Sequence, residues 1–247
     1  MSNKLLEIEL PNYSKRYILE ESLKYIKKPK GFFHIISLNP EIFVITHERS
    51  DFKKVVKWGR IRIVDGKGVV ITARMLGYTL GEHIAGVELM QAYLKLANVE
   101  RLRVMLIGGK AKIAEKVVDC QKPFYPEADL FGIEGIKDIK DPKKTEEERI
   151  FSIITDRKPH FIFVAFGSPE QELWLYKHRK KFEASICMGV GGAFDFLSGN
   201  VPRAPKMMRI FGLEWLFRLI IQPWRWRRQL RLFKFVFLIL QQRFQRT

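Results

Sequence analysis

Short apolar runs of strand length alternate with stretches of helical period through the first two hundred residues. Residues 32–37, 62–64, 103–107, 129–133, 161–166 and 186–188 are apolar runs that read as buried strands. Between them, residues 87–96, 111–118, 146–156 and 169–177 carry apolar positions three and four apart, the spacing of amphipathic helices. Buried strands separated by helices predict an α/β fold, a Rossmann-like, mainly parallel sheet flanked by helices. Residues 137–148 are polar and predict an exposed loop running into a helix start. No internal repeat or low-complexity linker breaks the pattern.

Beyond Pro223 the period becomes purely helical. Trp226, Leu230, Phe233, Phe237, Leu240 and Phe244 recur in steps of four and three and form one continuous apolar stripe. At about 100° per residue, Arg225, Arg227, Arg228, Arg231, Lys234, Arg243 and Arg246 fall on the opposite half. An aromatic stripe backed by arginines is the pattern of a helix lying in a membrane interface. The same pattern also fits a helix packed on a core with a solvated basic face.

Charge changes this picture. Across 247 residues there are 44 Lys+Arg against 27 Asp+Glu, a formal net charge of +17. From Arg203 onward eleven basic residues meet a single acid, Glu214, so +10 of the excess sits in the last 45 residues. The chain therefore divides into an α/β core over residues 1–202 and a basic, amphipathic helical appendage over 203–247. Such asymmetry calls for an anionic partner. With no recognised DNA- or RNA-binding motif, that partner is expected to be an anionic membrane surface and not nucleic acid. A 47% hydrophobic content with only 11 Pro excludes disordered and collagen-like chains.

Two cysteines offer neither a disulfide framework nor zinc spacing, and residues 1–12 do not read as a secretory signal. No stretch reaches the roughly 18 apolar residues of a spanning helix. The expectation is a peripheral protein on the cytoplasmic face of the cell membrane.

In a parallel sheet, ligands bind beyond the carboxyl ends of the strands. Those ends carry Ser37 and Asn39-Pro40, Asp65-Gly66-Lys67-Gly68, Gly108-Gly109, Gly167 to Glu172, and Gly189 to Asp195 with Gly191 and Gly192. Glycines at strand-to-helix turns let backbone approach a phosphate, although each turn taken alone also reads as a simple chain reversal. Of the five histidines, His34 and His83 read as structural, since no nucleophile or carboxylate pattern accompanies either.

Taken together, these turns and the tail resemble the WecG/TagA/CpsF family of bacterial glycosyltransferases. The resemblance runs from about residue 32 to 228. It rests on Asn39-Pro40-Glu41, Asp65 to Gly68, Ala85-Gly86-Val87-Glu88-Leu89, Phe166 to Glu172, and Gly189 to Asp195 with Gly199. The tail adds Arg203-Ala204-Pro205, Gly212-Leu213-Glu214-Trp215-Leu216-Phe217-Arg218 and Gln222-Pro223-Trp224-Arg225. Ser37 stands where the family pattern has Thr, with the hydroxyl kept.

The resemblance implies an inverting transferase of an N-acetylmannosamine-type sugar from a UDP donor to GlcNAc on undecaprenyl diphosphate, for wall teichoic acid or a related polymer. It implies C-terminal helices that dock on the membrane and help close the site, and it leaves room for a homo-oligomer. Transfer of another sugar, ManNAcA or glucose, to a polyprenyl-linked acceptor is the neighbouring alternative. A non-catalytic membrane or nucleic-acid binder is the alternative from another class.

An inverting transfer needs a base for the acceptor hydroxyl and charge stabilisation for the departing nucleoside diphosphate. The family motif assigns the base to Asp65; without it, an Asp at a glycine turn also reads as a cap. Ser37, Asn39 and Gln171 can hydrogen-bond sugar hydroxyls, and for Asn39 helix capping is the rival explanation. The chain has no Asp-x-Asp motif, so no metal or other cofactor is expected. Guanidinium groups then neutralise the diphosphate, and Arg218, Arg225 and Arg228 match the family's tail arginines. The glycines Gly66, Gly108, Gly109, Gly167, Gly191 and Gly192, with Asp195 and Arg203, complete the expected substrate-binding set. The six stripe residues are the expected membrane contacts.

Overall fold

Each of the six apolar runs forms a strand of one sheet in the computed structural model of the protein, which describes residues 3–109 and 112–244. Ala111, the expected start of one helix, and Arg246 of the basic tail lie outside those residues. A small antiparallel ribbon, β1 (Lys4–Leu5) and β2 (Ile8–Glu9), and α1 (Lys15–Lys27) come first. The sheet opens with β3 (Phe33–Leu38), followed by α2 (Pro40–Glu48), α3 (Ser50–Trp58), β4 (Ile61–Val64) and α4 (Lys67–Met75). Next come α5 (Gly86–Val99), β5 (Arg103–Gly108), α6 (Ile113–Gln121), β6 (Asp129–Ile133), α7 (Lys144–Arg157) and β7 (Phe161–Ala165). The core closes with α8 (Glu170–Lys177), β8 (Ile186–Gly189) and α9 (Ala193–Leu197). Three helices form the tail: α10 (Lys206–Ile210), α11 (Glu214–Ile221) and α12 (Trp226–Phe244), with a 3-10 turn (Pro223–Arg225) between the last two.

The strand order is β4-β3-β8-β7-β5-β6, and every pairing in that sheet is parallel. All carboxyl ends therefore gather on one edge, where the glycine turns lie. One layer, with Tyr25, Leu89, Tyr93 and Val117, packs against Ile35, Val104 and Phe161 of the sheet. The other face carries Met105, Ile162 and Val164 under Ile150, Trp174 and Phe182. His34 is fully buried in β3, and burial holds its pKa down at about 3, consistent with a structural residue.

Helices α1 to α4 lie outside the helical stretches expected from the sequence; α1 and α3 are amphipathic, whereas α2 has no helical signature for a physical reason. In α2, residues 42–46 are all buried, so no polar face marks the helical period. The chain signals it through its cap instead: Asn39 Oδ1 accepts the Ile42 N–H at 3.0 Å, with Pro40 in the first turn. Loop 137–148 is shorter than expected, because α7 begins at Lys144.

The outer cover of α2 is α12, and this changes the reading of the tail. The half of α12 assigned to arginines also presents Phe235, Leu238 and Ile239, which are buried in one cluster with Phe43 and Val56. Phe235 stacks at a tilt on Phe43, ring centroids 5.8 Å apart. Arginines flank that contact: Arg231 and Arg228 pair with Glu41, and Lys234 pairs with Glu48. The aromatic stripe faces the other way, its six residues between 47% and 77% exposed. So α12 has two apolar faces, one docked on the core and one open.

Candidate active site

Ser37 is the penultimate residue of β3 and Asp65 follows β4, so the parallel pairing of these strands sets the two side chains together. A Cβ on Gly86 would lie 3.2 Å from Ser37 Oγ and 3.3 Å from Asp65 Oδ2, so any side chain at this helix start would press on both groups. The Gly86 N–H donates to the Asp65 carboxylate. Burial pushes the Asp65 pKa up to about 6; Glu214 and Glu88 push the same way, whereas the Gly86 hydrogen bond and Arg203 pull it down. Ser37 Oγ is buried without a hydrogen-bond partner. A raised carboxylate beside an unpartnered hydroxyl marks this pair as a candidate ligand contact.

These residues open into a cavity of about 680 Å³ at the carboxyl edge of the sheet, within the roughly 300–1,000 Å³ of small-molecule sites. The core contributes Asn39, Gly66, Gly109, Gly167, Gln171, Gly191, Gly192 and Asp195 to its lining, and the tail contributes Arg218, Arg225 and Arg228. Residues as far apart in the chain as Ser37 and Arg228 thus line one cavity. Two expected members stand outside the lining. Gly108 packs behind it, where a Cβ would meet the Phe166 ring at 2.7 Å. Arg203 pairs with Glu88 at 2.7 Å and Glu214 at 3.6 Å.

The arginines are held by specific contacts. Arg218 Nη2 donates to the Gly192 carbonyl at 3.1 Å and lies 3.5 Å from Asp195 Oδ2, with its guanidinium 4.6 Å from the Phe196 ring centroid. A Cβ on Gly192 would sit 1.9 Å from that nitrogen, so the turn is glycine to admit the guanidinium. Gln222 Oε1 accepts from both Arg218 Nε at 3.4 Å and Arg225 Nη1 at 3.0 Å, which aims the two side chains into one space. Burial, with repulsion from Arg218 and Arg228, pulls Arg225 down to about 10. Burial likewise lowers Arg218. Crowded, partly desolvated cations stabilise a multiply charged anion that replaces their lost water.

Two expected sugar contacts are otherwise engaged. Asn39 spends its carbonyl oxygen on capping α2, which leaves its amide N–H groups for the cavity. Gln171 is buried and braces its own turn: Nε2 donates to Glu172 Oε1 at 2.7 Å and Ser168 Oγ at 3.0 Å, and Oε1 accepts the Gly167 N–H at 3.2 Å.

Several lining residues went unread in the sequence. Glu172 is buried with Oε2 unpartnered, and burial pushes its pKa up to about 7 against the hydrogen bonds from Gln171 and Ser168. His83 was read as structural, yet it lines the cavity, brought there by a bridge between Val64 and His83. Lys67, Arg209, Glu214 and Trp215 join from α4, α10 and α11. The signal for Glu172 was its place in the Gly167 to Glu172 turn; for His83 it was its place beside Ala85-Gly86.

The sequence profile of the glycosyl transferase WecG/TagA/CpsF family matches residues 3–247. The chain belongs to that family. It is a glycosyltransferase. The chain is 33% identical over 218 residues to the N-acetylglucosaminyldiphosphoundecaprenol N-acetyl-beta-D-mannosaminyltransferase of Bacillus spizizenii, covering 88% of this chain and 82% of the relative. It is 33% identical over 208 residues to the enzyme of that name from Bacillus subtilis, covering 84% and 79%. For the Staphylococcus aureus enzyme of that name the figures are 32% over 216 residues, 83% and 81%. Among the described residues no helix is long and apolar enough to cross a membrane, and no group of three or more His, Cys, Asp or Glu is placed to hold a metal ion.

Proposed function

We propose that this WecG/TagA/CpsF protein transfers N-acetylmannosamine from UDP-ManNAc to the GlcNAc of an undecaprenyl-diphosphate-linked acceptor, with inversion and without a metal ion. The relatives' names supply the acceptor and the transferred sugar. The observation that carries the chemistry is that Asp65 and three arginines line one cavity.

In this reading Asp65 takes the proton from the acceptor hydroxyl as its oxygen bonds to the anomeric carbon. The bond from that carbon to the diphosphate breaks, and its electron pair leaves with UDP. Arg218, Arg225 and Arg228 balance the charge that develops there. A base with a pKa of about 6 is ionised at neutral pH yet more basic than an ordinary carboxylate. The open aromatic face of α12, in a strongly basic tail, supports docking on an anionic membrane surface, which we assign to the cytoplasmic face.

The test is UDP release from a panel of UDP-sugars with a GlcNAc-diphosphate lipid. UDP-ManNAc is expected to turn over fastest. Turnover confined to UDP-ManNAcA or UDP-glucose would move the donor to the neighbouring class, and no turnover with any donor would overturn the reading.

A further inference from the structure

The segment between the core and α11 grips the Asp65 region at two points. Lys67, two residues after Asp65, donates from Nζ to the Ile210 carbonyl at 2.7 Å, and Gly212 sits so close that a Cβ there would be 3.0 Å from Lys67 Cβ. On the other side, Glu88 lies in the first turn of α5, the turn whose Gly86 N–H holds the Asp65 carboxylate. Glu88 Oε1 receives Arg203 Nη2 at 2.7 Å and lies 3.8 Å from Arg209 Nη1, while Arg203 also faces Glu214 at 3.6 Å. The tail thus clasps both pieces of backbone that position Asp65, using an Arg203–Glu88–Arg209 ion cluster on one of them.

We infer that Glu88 and Arg203 are positioning residues of opposite charge, through which the docked segment 203–214 fixes the placement of the Asp65 carboxylate and of the charges beside it. This rests on the proposed base role of Asp65 for its catalytic meaning, though not for its physical content. The charged and titratable groups around Asp65 are Glu88 on α5, Glu214 and Arg218 on α11, Arg203 and Arg209 from the segment before it, Lys67 on α4, and His83, whose pKa burial lowers. Within that set Glu88 favours the protonated carboxyl and Arg203 the ionised one. The two are tied together, so neither acts on Asp65 alone while the tail is docked.

The measurement is a carbon-13 titration of the Asp65 carboxyl in the full chain, assigned by the signal missing from Asp65→Asn. Arg203→Gln is expected to raise the midpoint by about half a unit or more, and Glu88→Gln to lower it by a similar amount. Arg203→Lys should restore most of the wild-type value. The acid limb of kcat/KM should move the same way in each variant, with kcat affected more than the donor KM. Thermal melting checks that each variant is folded; if Arg203→Gln is not, Glu88→Gln carries the sign test. Unmoved midpoints, or both moving in one direction, would overturn the inference. Midpoints that move in a protein inactive with every UDP-sugar would instead leave the inference standing and remove the proposed reaction.

Discussion

Asp65 and Glu172 show how burial turns ordinary carboxylates into useful ones. Both line the cavity with raised pKa values, but Asp65 has charges of both signs around it, Glu88 and Glu214 against Arg203, whereas Glu172 is held mainly by the neutral donors Gln171 and Ser168, with Glu170 its charged neighbour. Asp65→Asn keeps the shape and removes the base. It is expected to lower kcat by about two orders of magnitude or more while leaving UDP affinity unchanged by calorimetry; unchanged turnover would remove Asp65 from the reaction. Wild-type kcat/KM should rise from the acid side through about pH 6, as the carboxyl ionises. For Glu172 the effect is on stability. Its pKa rises from 4.5 in an unperturbed side chain to about 7 in the fold. The folded protein then holds the proton more tightly, so this contribution is complete below about pH 4.5 and is lost as pH rises through 7. Glu172→Gln should flatten the decline in melting temperature across that window, leaving the smaller part due to Asp65. An identical pH dependence in the variant would show that Glu172 titrates normally.

Among the elements, α12 carries the clearest division of labour. Phe235, Leu238 and Ile239 bind it to α2, while Phe233 and Phe237, on the far side, are 70% and 65% exposed. Fourteen of the twenty large apolar side chains exposed among the described residues lie within 207–244, so the uncovered apolar surface belongs mostly to the tail. Phe235→Ala is expected to cost about 3–5 kcal/mol, read as a lower denaturation midpoint. The double change Phe233→Ser with Phe237→Ser should stay within about 0.5 kcal/mol of wild type. In a flotation assay, that double variant should lose binding to anionic phosphatidylglycerol vesicles, which Phe235→Ala need not. Equal stability losses from both, or vesicle binding unaffected by the double change, would show that the exposed face has another use.

At the scale of the whole molecule, the tail is part of the fold and of the site. Removing it from Gly199 onward would strip Phe235, Leu238 and Ile239 from a buried cluster as well as three arginines from the cavity. Loss of activity in such a truncate would therefore mix two causes, and the point variants above separate them. Charge neutralisation by guanidinium groups predicts that EDTA leaves turnover intact; a loss restored by magnesium would contradict it. The strands were legible because parallel strands buried on both faces read as plain apolar runs. Helix α2 was not, because its outer face is covered by residues almost 200 positions later. The cavity's glycines and arginines were legible in part through local turns and largely through the family pattern. Glu88 and Gln222 stood in quoted motifs, yet their jobs depend on partners that no local window contains.

The sequence by itself determined the alternation of strand and helix, the edge where the strand ends meet, and the concentration of charge and aromatics in the tail. All of these are periodic or compositional, so they survive without coordinates. Only the tertiary structure decided which face of α12 is buried, that Arg203 holds Glu88 instead of lining the cavity, and that Asp65 is raised by burial among Glu88, Glu214 and Arg203. Those properties depend on distance and dielectric between residues remote in the chain, and no order of residues specifies them until the chain has packed.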